Sequence, residues 1–362
     1  MLMRILFNHH ISGAADLIEL MRRARPGLTV ITTHERADTP IRLVADRFLQ
    51  EPVETRSMAP DAYADWLLDV ATTESADLVI PYRRRDELAR ARDRFMARGI
   101  RLLTAADEGT MRLLEEKPNL LDRMAEMGVP VTPFRLFRGL SEYLRLRAEG
   151  PLFPGHPGDL CVKPASGIYG AGFRILREVV GERTTMSGLS ALELPEQAFR
   201  AMLSALPGAE RMMLMPLLPG PERSVDFACY EGLLLGTVTR VKGLTSQTLH
   251  HDPHGEKLAS LVARTFGLTG LLNLQTMEDA AGTPRLLEVN SRTSGGVGMT
   301  ALTDINLPGL LLDALEGAVP EMPARVSRET VAAKREVYWP VSPSTDGSPQ
   351  GTHTLPAACL SA

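Results

Sequence analysis

Leu286-Leu287-Glu288-Val289-Asn290-Ser291-Arg292, running directly into Thr293-Ser294-Gly295-Gly296, is the stretch on which the fold assignment turns. Its apolar residues make it a strand, and alternation sets Glu288 and Asn290 on the same face. Gln275 belongs to the preceding strand, joined to this one through the turn at 279–283, so three oxygen-bearing side chains converge. An incomplete set of hard oxygen donors is what Mg²⁺ requires when phosphate oxygens fill the rest of its shell. Arg292 extends from the strand end toward the same charge. An isolated Glu-x-Asn is often a solvated strand face; the immediate Ser-Gly-Gly turn favours a built site.

A phosphate ligand needs a cradle, and the chain has no G-x-x-x-x-G-K-[ST] sequence and no strand followed by a proper G-x-G-x-x-G. It has instead Val162-Lys163-Pro164-Ala165-Ser166-Gly167-Ile168-Tyr169-Gly170-Ala171-Gly172. A lysine near the end of a buried strand is costly without an anion. The glycines beyond it allow backbone N–H groups to approach phosphate oxygens. The alternative is a lysine that snorkels beside an ordinary hairpin turn.

Working outward, residues 3–8, 28–33, 78–80 and 100–103 read as short buried strands, with helical spacing at 13–25, 61–73 and 86–98. That alternation predicts a doubly wound parallel sheet with helices on both faces. Pro118 and Gly128 bracket a helix. Strands are expected at 129–137, 160–164, 173–176, 211–215, 224–230, 233–240, 271–278 and 284–290. Helices are expected at 195–206, 256–266 and 307–315, and 181–192 reads as a loop. From Pro320 the composition shifts to Pro, Ser and Thr, predicting an irregular or extended arm.

The chain has 362 residues, 44% of them hydrophobic, which is enough for two or three domains or subdomains. Forty basic against 44 acidic side chains leave a net charge of −4, so no global basic field invites nucleic acid or a membrane surface. No window approaches a membrane span, and His9, His10 and Asp16 interrupt the apolar N-terminal run. Three cysteines, Cys161, Cys229 and Cys359, lack metal-ligand spacing and read as reduced thiols. The expected setting is cytoplasmic, with small-molecule partners and room for a homodimer.

Four segments in order carry a family resemblance: Glu116-Lys117 before a helix; Val162-Lys163-Pro164 with its glycine loop; Pro219-Gly220-Pro221-Glu222-Arg223-Ser224-Val225-Asp226; and Asn273-Leu274-Gln275 followed by Leu287-Glu288-Val289-Asn290-Ser291-Arg292. Together they resemble the ATP-grasp superfamily, and order and spacing fit its carbamoyl-phosphate synthetase and biotin carboxylase branch best. The N-terminal part resembles the pre-ATP-grasp domain. A narrower resemblance is to ATP-grasp proteins encoded with tellurium-resistance-type stress clusters. The resemblance implies a pre-ATP-grasp domain at 1–115, an ATP-grasp domain at 116–320 with a lid at about 130–215 and a C-terminal antiparallel sheet, and an extension at 321–362.

The resemblance also assigns roles. Lys117 and Lys163 would neutralise the α- and β-phosphates of ATP, with Lys163 counted among the catalytic groups. The loop carrying Ser166, Gly167, Gly170 and Gly172 would fold over the β- and γ-phosphates. Backbone around Met215 and Leu217 would hold adenine, and Glu222 the ribose hydroxyls. Gln275, Glu288 and Asn290 would bind Mg²⁺, and Arg292 would stabilise charge during acyl-phosphate formation. The implied reaction is ATP-dependent activation of a carboxylate and its capture by an amine or similar nucleophile, with release of ADP and phosphate. A carboxyphosphate-forming carboxylase and a catalytically silent ATP-binding module are the competing readings. The hinge Leu214-Met215-Pro216-Leu217 lacks the acidic residue usual near Met215, which leaves purine selectivity open. Gln275 stands where many ligases have Asp or Glu, which predicts weak binding of bare metal.

Other features have plainer readings. His250, His251 and His254 lack a helical scaffold because Pro253 interrupts them, and read as solvated loop residues or as one acid–base group rather than a zinc site. Arg83-Arg84-Arg85 reads as a solvated helix start, or as an acidic-substrate contact at a strand's carboxyl end. Ser12-Gly13 reads as a helix cap, with an anion-binding nest as the alternative.

Overall fold

Strict alternation governs the first strand, Arg4–Asn8: Ile5 and Phe7 enter one apolar core and Leu6 another. A strand buried on both faces suits the middle of a parallel sheet. It pairs in parallel with Thr29–His34 on one side and Leu78–Pro81 on the other. Arg47–Gln50 and Arg101–Leu102 complete five parallel strands. Helix Ala14–Ala24 covers one face with Leu17, Ile18 and Met21, beside Leu311 and Leu312 of helix Leu307–Leu315. Tyr63 and Leu67 of Pro60–Thr73, with Phe95, cover the other.

The computed structural model describes residues 3–9, 13–156, 158–167, 171–178, 190–206 and 210–334. It divides into two compact units, Met1–Arg112 with Val225–Asn273 and Asn290–Ala362, and Leu113–Ser224 with Leu274–Val289. In the second unit, Leu160–Pro164 and Met212–Pro216 pair antiparallel, flanked by Arg135–Phe137, Arg174–Arg177 and Glu193–Pro195. Phe137, Tyr143, Val162, Phe199 and Leu214 form its core. The third sheet runs Pro284–Asn290, Gly270–Glu278, Glu222–Tyr230, Leu233–Lys242, Ser246–His250 and Thr330–Ala333 in spatial order. This is the α/β architecture expected from the sequence.

Several local expectations change. The helix expected at 86–98 is two short ones, Arg85–Ala89 and Arg92–Met96; the break between them lets Leu88, Ala91 and Phe95 share one core. The strand expected at 129–137 shrinks to Arg135–Phe137 plus a bridge between Val131 and Leu286, because Pro130 and Pro133 supply no N–H. The arm after Pro320 contributes strands Ala324–Arg325 and Thr330–Ala333. An edge strand with one neighbour needs little apolar content, so its sequence looks like a tail. The loop expected at 181–192 lies mostly outside the described residues, as do Ser12, Cys359 and all of 335–362. Among the described residues, no helix is long and apolar enough to cross a membrane.

At the carboxyl ends of the parallel strands, Glu51 has a fully buried side chain. Thr33 Oγ1 donates to it at 2.7 Å, Arg83 Nη1 at 3.1 Å, and His9 Nε2 lies 3.0 Å away. Burial alone would raise its carboxyl; the hydrogen bonds from His9 and Thr33 and the charges of His9 and Arg83 outweigh that and hold it below the ordinary carboxylate range. Its stabilisation is therefore complete above the unfolded-state pKa and is lost as pH falls through the depressed folded value. Glu51→Gln should lower stability at neutral pH by about 2–3 kcal/mol. The gap to the wild type in melting temperature should close from about pH 4 downward, and a pH-independent gap would contradict this account.

Candidate active site

Lys163 lies in strand Leu160–Pro164, opposite Met213 and between the buried Val162 and Pro164. Its ammonium donates to the Leu287 carbonyl at 3.3 Å. Burial, above all, pushes its pKa down; Lys117 pushes the same way, while Glu288, Cys161 and Glu222 pull it back. Lys117 opens helix Lys117–Glu126, and both its nitrogens are tied to the glycine loop: the backbone N–H donates to Ala165 O at 3.1 Å and Nζ to Gly167 O at 2.7 Å. One ammonium at a helix N-terminus beside a loop of small residues, and a second in a strand that feels its charge, form an environment suited to a polyanion.

The loop's course depends on two glycines. Gly167 has φ +116° and Gly172 φ +78°, and a Cβ on Gly172 would lie 2.8 Å from Pro164 Cγ. The chain thus turns back onto Pro164, leaving Ser166, Gly167 and Gly172 exposed. Gly170 lies outside the described residues. At the hinge, Met215 pairs with Cys161, and the Leu217 N–H donates to Asp159 O at 2.8 Å. Pro216 has no N–H, so the hinge has few donors for a purine ring. Burial pushes the Cys161 thiol up to about 12, which makes it an inert core residue. Glu222 begins strand Glu222–Tyr230 and reaches Lys163 through charge.

Gln275 and Glu288 are half-buried on the neighbouring strands Gly270–Glu278 and Pro284–Asn290. Glu288 and Asn290 flank the buried Val289, as two residues on one strand face should. A relay fixes the amide of Asn290. Arg240 Nε donates to Asp226 Oδ2 at 2.7 Å. Asp226 Oδ1 accepts from Asn273 Nδ2 at 3.0 Å, and Asn273 Oδ1 accepts from Asn290 Nδ2 over a long 3.5 Å. Asn273 Nδ2 also donates to Val225 O, which fixes its own orientation. The nitrogen of Asn290 is thereby assigned to Asn273 and its oxygen to the other side. Arg240 also donates to Gln247 Oε1 and Ser294 Oγ, at 2.6 and 2.7 Å, holding the turn after Arg292. Arg292 itself is buried, with Nη1 donating to Thr293 O at 2.9 Å.

Asp226, Arg240 and Asn273 were not singled out as site residues from the sequence. A signal existed: an aspartate within Val225-Asp226-Phe227 and an arginine within Thr239-Arg240-Val241 are charges inside apolar strands. The histidines also read differently. His250 ends a strand, Asp252 caps helix Pro253–Phe266, and His251 Nε2 lies 2.8 Å from Glu256 Oε2. Arg325 grips that same carboxylate through two nitrogens, so His251 belongs to an ordered cluster. No group of three or more His, Cys, Asp or Glu side chains among the described residues could hold a metal ion. A magnesium site here would therefore rest on amide oxygens and a single carboxylate.

Residues 208–337 match the family described as "ATP-grasp in the biosynthetic pathway with Ter operon". A stretch of 132 residues is 35% identical to carnosine synthase 1 of Gallus gallus; it spans 32% of this chain and 14% of that protein. The fold resembles the biotin carboxylase domain of Hydrogenobacter thermophilus 2-oxoglutarate carboxylase, solved with MgADP, ADP and bicarbonate. That likeness has a TM-score of 0.65 at 15% identity and covers 91% of this chain and 74% of that one. The L-amino acid ligase of Bacillus licheniformis gives a TM-score of 0.61 at 17% identity over 93% and 81% of the two chains. The chain has the ATP-grasp fold, and the match to the Ter-operon family is carried by residues 208–337.

The relay can be tested through stability. Asp226→Ala leaves the Arg240 guanidinium buried without its carboxylate and should cost about 3–5 kcal/mol in urea unfolding. Asp226→Leu combined with Arg240→Met should recover part of that loss, because no uncompensated charge remains. Additive losses in the double variant would show that the two residues do not act as a pair.

Proposed function

We propose that the chain is an ATP-dependent, ADP-forming ligase that activates a carboxylate as an acyl phosphate and couples it to an amine or similar nucleophile. The observation that carries this reading is the placement of Lys163 and Lys117 around the glycine loop, with Glu288 close enough to act on the Lys163 ammonium. Burial makes the charge on Lys163 expensive in the empty protein, and a polyphosphate offsets that cost. The family match and the resemblance to an L-amino acid ligase and a carnosine synthase support the ligase class.

The residues present fit a nucleotide-borne Mg²⁺. Gln275, Glu288 and Asn290 would hold it, because the relay turns the nitrogen of Asn290 toward Asn273 and assigns its oxygen to the opposite side. When bound, the ion would neutralise charge on the phosphate oxygens. Lys163 and Lys117 would bind and orient the phosphates, and the Ser166–Gly167 backbone would exclude water from them. Arg292 would stabilise the anionic carboxylate during phosphoryl transfer. Attack by the nucleophile then breaks the acyl–phosphate bond and releases phosphate. The test is ADP release from Mg-ATP with amino acids and small carboxylates, offered singly and in pairs. Stimulation by bicarbonate alone would favour the carboxyphosphate-forming alternative.

Nucleotide binding should raise the melting temperature in a magnesium-dependent way; at about 100 times Kd the gain is roughly 2.7 kcal/mol. Affinity for Mg-ATP should weaken as pH rises toward the lysine range, because the depressed Lys163 ammonium loses its proton earlier than an ordinary lysine. Lys163→Arg should flatten that profile, and Lys163→Ala should lower affinity at all pH. An identical calorimetric pH profile in Lys163→Arg would remove Lys163 from the phosphate site.

The metal and transition-state residues separate kinetically. Gln275→Glu should strengthen apparent magnesium affinity, and Glu288→Gln should abolish turnover while leaving the fold intact. Arg292→Ala should keep nucleotide affinity and lose about two orders of magnitude in kcat. Equal dependence on free magnesium in the wild type and both strand variants would mean that this strand face is ordinary surface.

A further inference from the structure

One cavity lies wholly within the unit that carries the parallel sheet, at the carboxyl ends of strands Leu78–Pro81 and Arg101–Leu102. Its volume is about 40 Å³. Since one water needs roughly 10–15 Å³ by this measure, it has room for about three non-hydrogen atoms. Arg85 and Arg292 both line it, and among the described residues no carboxylate does. Leu17, Ile80, Leu103 and Leu271 supply apolar wall.

The two guanidiniums reach the cavity from different places in the chain. Arg85 opens the short helix after the Leu78–Pro81 strand, next to Arg84, whose backbone is left-handed at φ +54°. Arg85 Nη1 donates to both the carbonyl and the hydroxyl of Ser291, each at 3.0 Å, which locks the arginine to the residue preceding Arg292. Arg292 is itself buried. The parallel-sheet order reverses at strand Arg4–Asn8, and ligands of such sheets bind outside the carboxyl ends near that reversal. Two planar forks in a space three atoms wide match one carboxylate, which accepts from arginine in a bidentate manner.

We infer that this cavity is the carboxylate subsite of the substrate, and that Arg85 is the residue that selects for it. The substrate class is a carboxylate, whose three heavy atoms sit between Arg85 and Arg292 while the skeleton that bears it stays outside the cavity. The assignment of substrate rests on the ligase reading, whereas the cavity's preference for a carboxylate can be tested without ATP.

Propionate is the probe, with propionamide as its neutral isostere, and binding to the full chain is followed by ligand-observed NMR. Propionate should bind at least tenfold more tightly than propionamide. Arg85→Met should weaken propionate at least tenfold while leaving the magnesium-dependent melting shift with ATP unchanged. Arg94→Met, which removes surface ion pairs to Asp61 and Asp65, should change neither. If Arg85→Met melts early, Arg85→Lys replaces it; loss of the planar fork should still weaken propionate several-fold. Equal affinity for propionate and propionamide, no propionate binding by the wild type, or undiminished binding in the Arg85 variants would each overturn the subsite. Arg85-dependent propionate binding in a protein that shows no shift with Mg-ATP would instead remove the ligase reading and leave the subsite standing.

Discussion

The Asp226–Arg240 ion pair is the constraint around which the candidate metal strand is organised. Both side chains are almost wholly buried, at 2% and 3% exposure, so the pair survives only because its remaining hydrogen-bonding capacity is used. Asp226 spends its second oxygen on Asn273, and Arg240 spends its other nitrogens on Gln247 and Ser294. One end of the pair thus sets the polarity of Asn290 through Asn273. The other holds the turn that follows Arg292. Gly296 completes the fit, since a Cβ there would collide with the Arg240 guanidinium. A buried charge of this kind contributes little net stability. What it contributes is a single orientation for groups whose amides could otherwise flip.

A similar logic applies in the other unit, where a lysine rather than a pair is held in the interior. Lys163 keeps one bond to the Leu287 carbonyl and feels Glu288, Glu222 and Lys117. Burial and a like charge lower its pKa against the pull of two carboxylates. Such a group responds to the arrival of an anion more than a solvated surface lysine can.

Two of the four left-handed non-glycine residues among those described lie at the carboxyl edge of the parallel sheet. His9 and Arg84, just beyond two adjacent strands, have left-handed backbones at φ +59° and +54°, though neither is glycine. The Glu51 cluster anchors the first, and Arg84 pairs with Glu87 while its Nη2 donates to Met58 O. The edge is over-determined by polar contacts, and so Arg85 can present its guanidinium at a fixed place.

Residues 3–103 alternate between short apolar runs and helical spacing, so the parallel sheet was legible from the chain alone, because period and burial are local properties. The edge strand Arg47–Gln50 was not legible, since a strand with one neighbour needs no apolar signature. Lys163 and Glu288 could be named because a charge inside an apolar strand is conspicuous along the sequence, and four motifs in order narrowed the fold further. The tie between Lys117 and Gly167 spans fifty residues and the one between Arg85 and Ser291 spans 206, and no periodicity encodes either. Sequence determined which residues could carry charge into the interior. Only tertiary structure decided which charges meet, because pairing is set by strand order and by loop closures whose partners lie far apart along the chain.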